Sequence, residues 1–285
     1  MRLLLLASLR AQTGNGTTAQ RIQGHLEAAG HVCTLKDTFS CESPLAVSKL
    51  ISENFDAALG IHLYKAGRLL QGSGIPFGIV FGGTDINEDA RCEKKAQVMG
   101  TVLDEARFAV SFTEAMRERA ISYWPLARNK IYVQAQGIVT APNISFNWKK
   151  YLQSAGITQD HNRLRFFFLI CGLRRVKDPL YLVDAFVEWH REDPSIHLII
   201  IGPAAMDLNV PVLARNIPGN AAIITDKATG LLYSNPEEFV QLSKSLIEDP
   251  SLQREIVTRA KAYVTKHHLW EDERNAYQNF VLRLH

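Results

Sequence analysis

The chain opens with the apolar run Met1-Arg2-Leu3-Leu4-Leu5-Leu6-Ala7-Ser8-Leu9, and the glycine-rich turn Thr13-Gly14-Asn15-Gly16-Thr17 follows it closely. An apolar run without alternation is typical of a strand that is buried on both faces of a parallel sheet. After the turn, Ile22, Leu26 and Ala29 share one face of a predicted helix. This strand–turn–helix unit predicts the start of a doubly wound α/β domain.

The opening run also has a second interpretation, as a short secretory signal with Arg2 as its charged end. Cleavage after Leu9 would then remove the first strand of the sheet. We favour the strand, and with it a cytoplasmic protein, and keep secretion as the alternative. No stretch approaches the roughly 20 apolar residues that span a bilayer.

Strand-like runs alternate with helical patterns along most of the chain, which predicts two Rossmann-like domains, the second of them incomplete, and a helical C-terminal tail. The predicted bounds are 1–140 for the first domain, 141–164 for a polar hinge and 165–285 for the second domain with its tail. Six strands are predicted in the first domain, at Leu3–Ser8, His31–Leu35, Ala57–His62, Pro76–Phe81, Phe108–Phe112 and Ile131–Ala135. The second domain is predicted to contain strands at Arg165–Cys171, Ile196–Ile201, Val210–Ala214 and Ala221–Ile224, and helices at Pro179–Arg191, Pro236–Ile247, Pro250–His267 and Trp270–Leu284.

The alternation fails after the strand Ile196–Ile201. Only the short stretch Ala204–Asn209 separates Pro203 from the next strand candidate. A parallel crossover takes roughly a dozen residues or more and usually includes a helix. Either the two strands are joined in an unusual way or a piece of the domain is absent.

Composition excludes several classes of protein. Hydrophobic residues make up 46% of the chain and charged residues 21%, which is typical of a globular protein. A net charge of +3 from 32 basic and 29 acidic side chains is too balanced for a nucleic-acid-binding protein. None of the four cysteines forms a C-x-x-C pair, and we expect Cys33 and Cys171 to be buried reduced thiols.

Candidate site residues follow the predicted strands, because open parallel sheets bind ligands at the carboxyl ends of their strands. Gly14 and Gly16 allow a phosphate to approach the backbone beside a helix N-terminus, although a simple turn explains them too. His62 ends the third strand, where it could bond a substrate hydroxyl or be purely structural. Asp85, which follows the fourth strand in Gly82-Gly83-Thr84-Asp85, could bind a sugar hydroxyl or cap a helix.

The sharpest motif of the second domain is Cys171-Gly172-Leu173-Arg174-Arg175-Val176-Lys177-Asp178-Pro179. It places three cations between a buried strand and a helix, where they could neutralise a diphosphate leaving group. A solvated basic loop is the alternative. Gly137 is predicted to need its small size at a turn, and Asn220 could reach a ligand.

In their order and spacing these motifs resemble the family-4 glycosyltransferases of the GT-B fold. The resemblance rests on Thr13–Thr17, His62, Gly82–Asp85, Gln136-Gly137-Ile138, the Lys177 loop, Ala205-Met206 with Val210–Ala214, Ile217-Pro218-Gly219 and Thr229-Gly230-Leu231-Leu232. It implies retaining transfer of a sugar from a nucleotide-diphosphate donor, with two domains that face each other across a cleft. No tightly bound metal is expected, and positive side chains take its place at the diphosphate.

The resemblance also implies residue roles and two departures. Lys177 matches the family's phosphate-binding lysine, whereas Gly172 stands where the family usually has the partner arginine, so Arg174 or Arg175 would substitute. The E-x7-E motif that grips the donor sugar and the ribose has no counterpart, and its second glutamate would fall on Ala204. Roughly two β-α units are absent upstream of it. We interpret this absence as an alternatively spliced form that skips in-frame coding sequence.

Three functions follow as expectations. The chain is a glycosyltransferase with His62 and Asp85 as catalytic residues, with Gly14, Gly16, Arg174 and Lys177 at the donor phosphates, and with weak or no activity. Alternatively it is a catalytically dead isoform that binds or regulates a partner, with self-association through the sheet edges that the deletion exposes. A third interpretation is a different enzyme of nucleotide-sugar metabolism, against which the absence of paired carboxylates argues.

Overall fold

The computed structural model describes residues 1–9, 14–41, 47–50, 54–138, 145–157, 164–170, 178–201 and 210–285. The chain divides into two compact units, the first made of Met1–Gly137 with His268–His285 and the second of Ile138–His267. Within the described ranges, no helix is long and apolar enough to cross a membrane.

The described secondary structure is mixed α/β. The strands are β1 Arg2–Ala7, β2 Val32–Asp37, β3 Ala57–Ile61, β4 Phe77–Val80, β5 Phe108–Ser111, β6 Ile131–Val133, β7 Arg165–Ile170, β8 Ile196–Ile201, β9 Leu213–Arg215 and β10 Leu231–Tyr233. The helices are α1 Gly14–Glu27, α2 Gly83–Asn87, α3 Glu93–Glu105, α4 Glu114–Tyr123, α5 Trp148–Ser154, α6 Val183–Glu192, α7 Pro218–Ala221, α8 Pro236–Glu248, α9 Pro250–His267 and α10 Trp270–Val281. Shorter helical segments lie at Thr38–Ser40, Leu63–Gly67, Arg68–Leu70, Asp89–Arg91, Pro125–Lys130 and Leu282–Leu284.

The first unit is built on a six-stranded parallel sheet in the order β2-β1-β3-β4-β5-β6. All six strands coincide with predicted ones to within a few residues. The four leucines of β1 are buried alternately on the two faces: Leu4 and Leu6 in one apolar cluster, Leu3 and Leu5 in the other. A strand covered on both sides has no polar face, which is why its sequence reads as a continuous apolar run.

The C-terminal helix belongs to the first unit. Tyr277, Phe280 and Val281 of α10 are buried in the same apolar cluster as Leu3 and Leu5 of β1. This position of the tail differs from the sequence-based prediction, which places it in the second domain together with everything from residue 165. The reason is that the apolar residues of α10 pack on one face of the first sheet, a long-range contact that no local pattern reveals.

A buried ionic cluster fixes α10 in place. Glu273 has no exposed surface and accepts hydrogen bonds from Arg21 at 2.7 and 3.0 Å, from His25 at 3.1 Å and from the Gly137 backbone at 3.0 Å. A Cβ atom at Gly137 would lie 2.9 Å from Glu273 Oε2 and 3.0 Å from the Cα atom of Trp270. Gly137 does need its small size, and what crowds it is α10.

The second unit contains two separate parallel strand pairs. β7 pairs with β8, and β9 pairs with β10, and among the described residues no ladder joins the two pairs. Both pairs nevertheless contribute to one apolar core, in which Phe167, Phe186, Trp189, Tyr233 and Phe239 meet. Residues 202–209, where the sequence pattern fails, lie outside the described part of the chain.

Two local predictions in this unit are wrong. The segment predicted as a strand at Ala221–Ile224 instead begins with the last residue of the short helix α7 and continues as a turn. Pro218 starts this helical turn, and its carbonyl accepts from the Ala222 backbone N–H. The helix predicted from Pro179 begins only at Val183, with Leu182 as its N-cap. Asp178 lies in the preceding turn, with a positive φ of 44°.

Candidate active site

The candidate site of the first unit lies where β3 and β4 end. His62 directly follows β3, and Gly82–Asp85 follow β4 and form the first turn of α2. Because β3 and β4 are parallel neighbours, their carboxyl ends meet at one edge of the sheet. The structure therefore brings the predicted His62 and Asp85 together, with His62 Nδ1 at 2.6 Å from Asp85 Oδ1.

Asp85 ties the two strand ends to each other. Its side chain is completely buried. Oδ2 accepts from the backbone N–H groups of Leu63 at 2.6 Å and Gly82 at 2.8 Å, and Oδ1 accepts from Tyr64 at 2.9 Å. Gly82 is the N-cap residue of α2, and Asp85 is the third residue of the helix. Asp85 is therefore not the cap itself, but its side chain accepts the backbone N–H of the cap residue.

His62 is held on both ring nitrogens. Nδ1 lies 2.6 Å from Asp85 Oδ1 and 3.3 Å from the Lys65 backbone nitrogen, and Nε2 lies 2.7 Å from the Thr84 hydroxyl oxygen. His62 is only 1% exposed and adopts a φ of 88°, a left-handed conformation that is costly for a residue with a Cβ. Thr84 is partly exposed, so it is the residue through which the hydrogen-bonded series Asp85–His62–Thr84 reaches the surface.

Asp89 and Lys95 extend the cluster. Asp89 Oδ2 lies 3.8 Å from His62 Nε2, and Lys95 Nζ lies 2.5 Å from Asp89 Oδ1, a hydrogen bond that raises the pKa of Lys95. Sequence reasoning missed both residues, since neither lies next to a strand end. Their only signal is the run of polar residues after Asp85.

The ligand atoms of His62, Asp85 and Asp89 lie within 4.8 Å of one another, a spacing that could hold a metal ion. Their donor atoms are already committed, however. Asp85 accepts three backbone N–H groups besides His62, and Lys95 neutralises Asp89. The arrangement is better suited to orienting the Thr84 hydroxyl than to binding a cation.

The other predicted phosphate-binding residues fall in two places. Gly14 and Gly16 lie in the first turn of α1, at the same carboxyl edge as His62, because β1 is the parallel neighbour of β3. A Cβ at Gly14 would meet nothing within 4 Å, so packing does not require glycine there. Arg174 and Lys177 lie outside the described residues.

A third group of residues gathers around Arg215 at the end of β9. Its guanidinium carbon lies 3.9 Å from the centre of the Tyr181 ring, and its Nη1 lies 3.7 Å from Asp178 Oδ2. Asn220, predicted as a ligand-binding residue, donates its side-chain N–H to the Arg215 carbonyl at 2.8 Å. Asn220 thus supports Arg215, which the sequence analysis did not single out.

Comparison with known proteins identifies relatives of the whole chain. Glycosyltransferase 1 domain-containing protein 1 of Xenopus tropicalis is 48% identical over 339 residues, a match that covers 100% of this chain and 98% of the relative. The family described as glycosyl transferases group 1 matches residues 204–263. Because the match spans 339 positions and the chain has 285 residues, at least 54 of those positions have no counterpart here.

Solved structures share the fold at low sequence identity. Anabaena HepE in complex with UDP has a TM-score of 0.72 at 14% identity, covering 99% of this chain and 100% of that one. Sucrose-phosphate synthase from Thermosynechococcus elongatus has a TM-score of 0.70 at 10% identity, covering 100% of this chain and 99% of that one. These similarities establish the two-domain α/β fold of the GT-B type.

Proposed function

The chain belongs to the group 1 glycosyltransferases, in the family of glycosyltransferase 1 domain-containing protein 1, and on this premise we propose that its chemistry is retaining transfer of a sugar from a nucleoside diphosphate donor. The observation that carries the proposal is the 48% identity over the full length of the chain. The UDP complex of HepE supports a nucleotide sugar as the donor.

The residues assigned to the donor are Gly14, Gly16, Arg174 and Lys177. The N-terminus of α1 favours an anion, and the two basic side chains supply the positive charge that a departing diphosphate needs. No metal is required in this scheme. His62 and Asp85 act in the first unit, and since both are buried, we assign the direct contact with substrate to the Thr84 hydroxyl that His62 orients.

This chain is expected to transfer sugar weakly or not at all. The match with the relative leaves at least 54 positions unfilled, and the E-x7-E carboxylates are among the residues that the sequence lacks. We place the gap at residues 202–209, between β8 and β9, because a parallel crossover does not fit there. The separation of β7–β8 from β9–β10 among the described residues supports this placement. A transcript that skips in-frame coding sequence would produce such a chain.

A catalytically dead isoform that binds or regulates a partner is the second candidate. It is favoured by β7 and β9, each of which has one paired neighbour within the described residues. A strand edge without a partner is a template for pairing with another chain, which makes self-association the expected mode.

We propose a cytoplasmic location. Residues 2–7 form β1, which pairs with both β2 and β3, so a signal cleavage after Leu9 would remove an inner strand of the first sheet.

Titration calorimetry of the purified chain with a panel of nucleotide sugars, followed by a sugar-transfer assay, tests the proposal. We expect weak donor binding that the variant Lys177→Ala weakens further, and little or no transfer. The variant Lys266→Ala, in the last turn of α9, is the matched control. Micromolar binding with sugar transfer would refute the inactive assignment, and binding that Lys177→Ala leaves unchanged would refute the phosphate site.

A further inference from the structure

The carboxyl ends of both strand pairs in the second unit meet at one edge. Asp178 lies downstream of β7, Arg215 is the last residue of β9, and Ser234 directly follows β10. Tyr181 connects them, because its ring stacks on the Arg215 guanidinium at 3.9 Å and its hydroxyl donates to the Ser234 carbonyl at 3.1 Å. The two pairs therefore present their carboxyl ends on the same side although no ladder joins them in the described residues.

Arg215 is the cation that the described part of the chain places at this edge, and its backbone is firmly held. The Arg215 carbonyl accepts from the Ile217 backbone at 2.8 Å and from the Asn220 side chain at 2.8 Å. The next residue, Asn216, donates to the Tyr233 carbonyl at 2.7 Å, which extends the β9–β10 ladder past Arg215. The side chain consequently leaves the end of a strand in a fixed direction, with one of its faces against Tyr181.

The guanidinium keeps its hydrogen-bonding capacity. It is 41% exposed, and its contact with Asp178 at 3.7 Å is longer than a hydrogen bond. Asp178 is itself 54% exposed, so this ion pair contributes little in water. Among the described residues, no hydrogen bond uses the guanidinium N–H groups of Arg215, whereas the guanidinium of Arg21 donates two hydrogen bonds to Glu273.

We propose that Arg215 binds oxygens of the terminal phosphate of the nucleoside diphosphate. Because a nucleoside monophosphate lacks this phosphate, Arg215 would make the site prefer diphosphates over monophosphates. This inference rests on the proposed function, and it adds a described residue to the donor site. A planar guanidinium can donate hydrogen bonds to two phosphate oxygens at once. Because the ring of Tyr181 already limits the rotation of the Arg215 side chain, less side-chain entropy is lost when phosphate binds. Phosphate replaces the weak contact with Asp178.

The test compares UDP and UMP binding to the full chain by titration calorimetry, for the wild type and for Arg215→Ala, Arg215→Lys and Arg259→Ala. Arg259 is the matched control, an exposed arginine on α9 that pairs with Glu255. We expect Arg215→Ala to weaken UDP binding by about tenfold or more, since it removes hydrogen bonds to a charged group. UMP binding should change by less than about twofold, and Arg259→Ala should change neither affinity.

The outcomes separate this inference from the proposed function. UDP affinity that is equal in the wild type and in Arg215→Ala overturns the role of Arg215 and leaves the transferase assignment standing. A wild type that binds no UDP overturns the donor site as a whole. Should the alanine variant fail to fold, Arg215→Lys decides the matter, because lysine keeps the charge but not the planar fork, and unchanged UDP affinity in that variant overturns the proposal.

Discussion

Replacing Asp85 by asparagine should destabilise the first unit by about 3 to 5 kcal/mol, the range for removing one partner from a buried ionic contact. The carboxylate has two donors on each oxygen. Leu63 and Gly82 donate to Oδ2, and Tyr64 and His62 approach Oδ1. An asparagine side chain has one oxygen and one NH2 group. In either orientation, the two donors at the position of the NH2 group therefore face another donor and lose their acceptor.

The magnitude follows from these contacts. Each buried donor that loses its acceptor costs about 1 to 3 kcal/mol, and the two that remain bonded lose the help of a full negative charge. A typical domain has a total stability of only about 5 to 15 kcal/mol. The variant should therefore remain largely folded at room temperature but open far more often around β3 and β4.

Hydrogen exchange read by mass spectrometry, on peptides that cover β3, β4 and α2, measures this opening directly. Asp104→Asn is the matched control, because it makes the same substitution at an exposed position of α3. If Asp85→Asn lowers the opening free energy by less than about 1 kcal/mol, as the control should, then the four contacts do not carry the stability assigned to them.

Two further predictions concern the cluster around Glu273. Burial would raise the pKa of Glu273, but hydrogen bonds from His25 and Arg21 and the Arg21 charge outweigh it, so the pKa lies below the ordinary 4.5. The stabilisation by the ionised Glu273 is fully present above pH 4.5 and is lost as the pH falls through the folded-state pKa. Glu273→Gln should lower the free energy of unfolding by about 3 kcal/mol at pH 7 and should flatten its dependence on acid pH, as measured by denaturant unfolding. An acid dependence that is unchanged in the variant would contradict the assignment. Gly137→Ala should lower the melting temperature, since the new Cβ would lie 3.0 Å from the backbone of Trp270. Gly24→Ala, at an exposed position of α1 where a Cβ meets nothing within 4 Å, should raise the melting temperature slightly. Melting temperatures that shift in the same direction would count against the crowding argument.

The strands were the most predictable part of the fold. Runs such as Leu3–Ser8 and Phe108–Phe112 are apolar on both faces, which is typical of a strand between two layers of helices. The ends of these strands then indicated the candidate site, because parallel strands bring their carboxyl ends together. His62 and Asp85 were found in this way, and their mutual contact follows from the neighbouring positions of β3 and β4.

The parts that the sequence did not reveal depend on contacts between distant residues. Glu273 reads as a surface residue in the first turn of α10, yet its partner Arg21 lies 252 residues away and buries it. Thr84 and Asp89 are ordinary polar residues until His62 is placed between them. Arg215 gave no signal, because its importance lies in the Tyr181 ring that stacks on it and not in any local motif.

The second unit holds its two strand pairs in one apolar core, although no ladder joins the pairs among the described residues. In a doubly wound sheet both faces of every strand are covered. On one side of β7, Phe167 packs against α6 and α8, in a core that both strand pairs share. On the other side Phe166 and Phe168 meet Trp148 of α5, and Phe168 remains 42% exposed. The shared core keeps the carboxyl ends of β7, β9 and β10 at one edge, where Arg215, the residue that we propose binds the diphosphate, lies. The E-x7-E carboxylates that the family resemblance assigns to the sugar and the ribose have no counterpart in this sequence, and this is the ground for the weak or absent transfer that we propose.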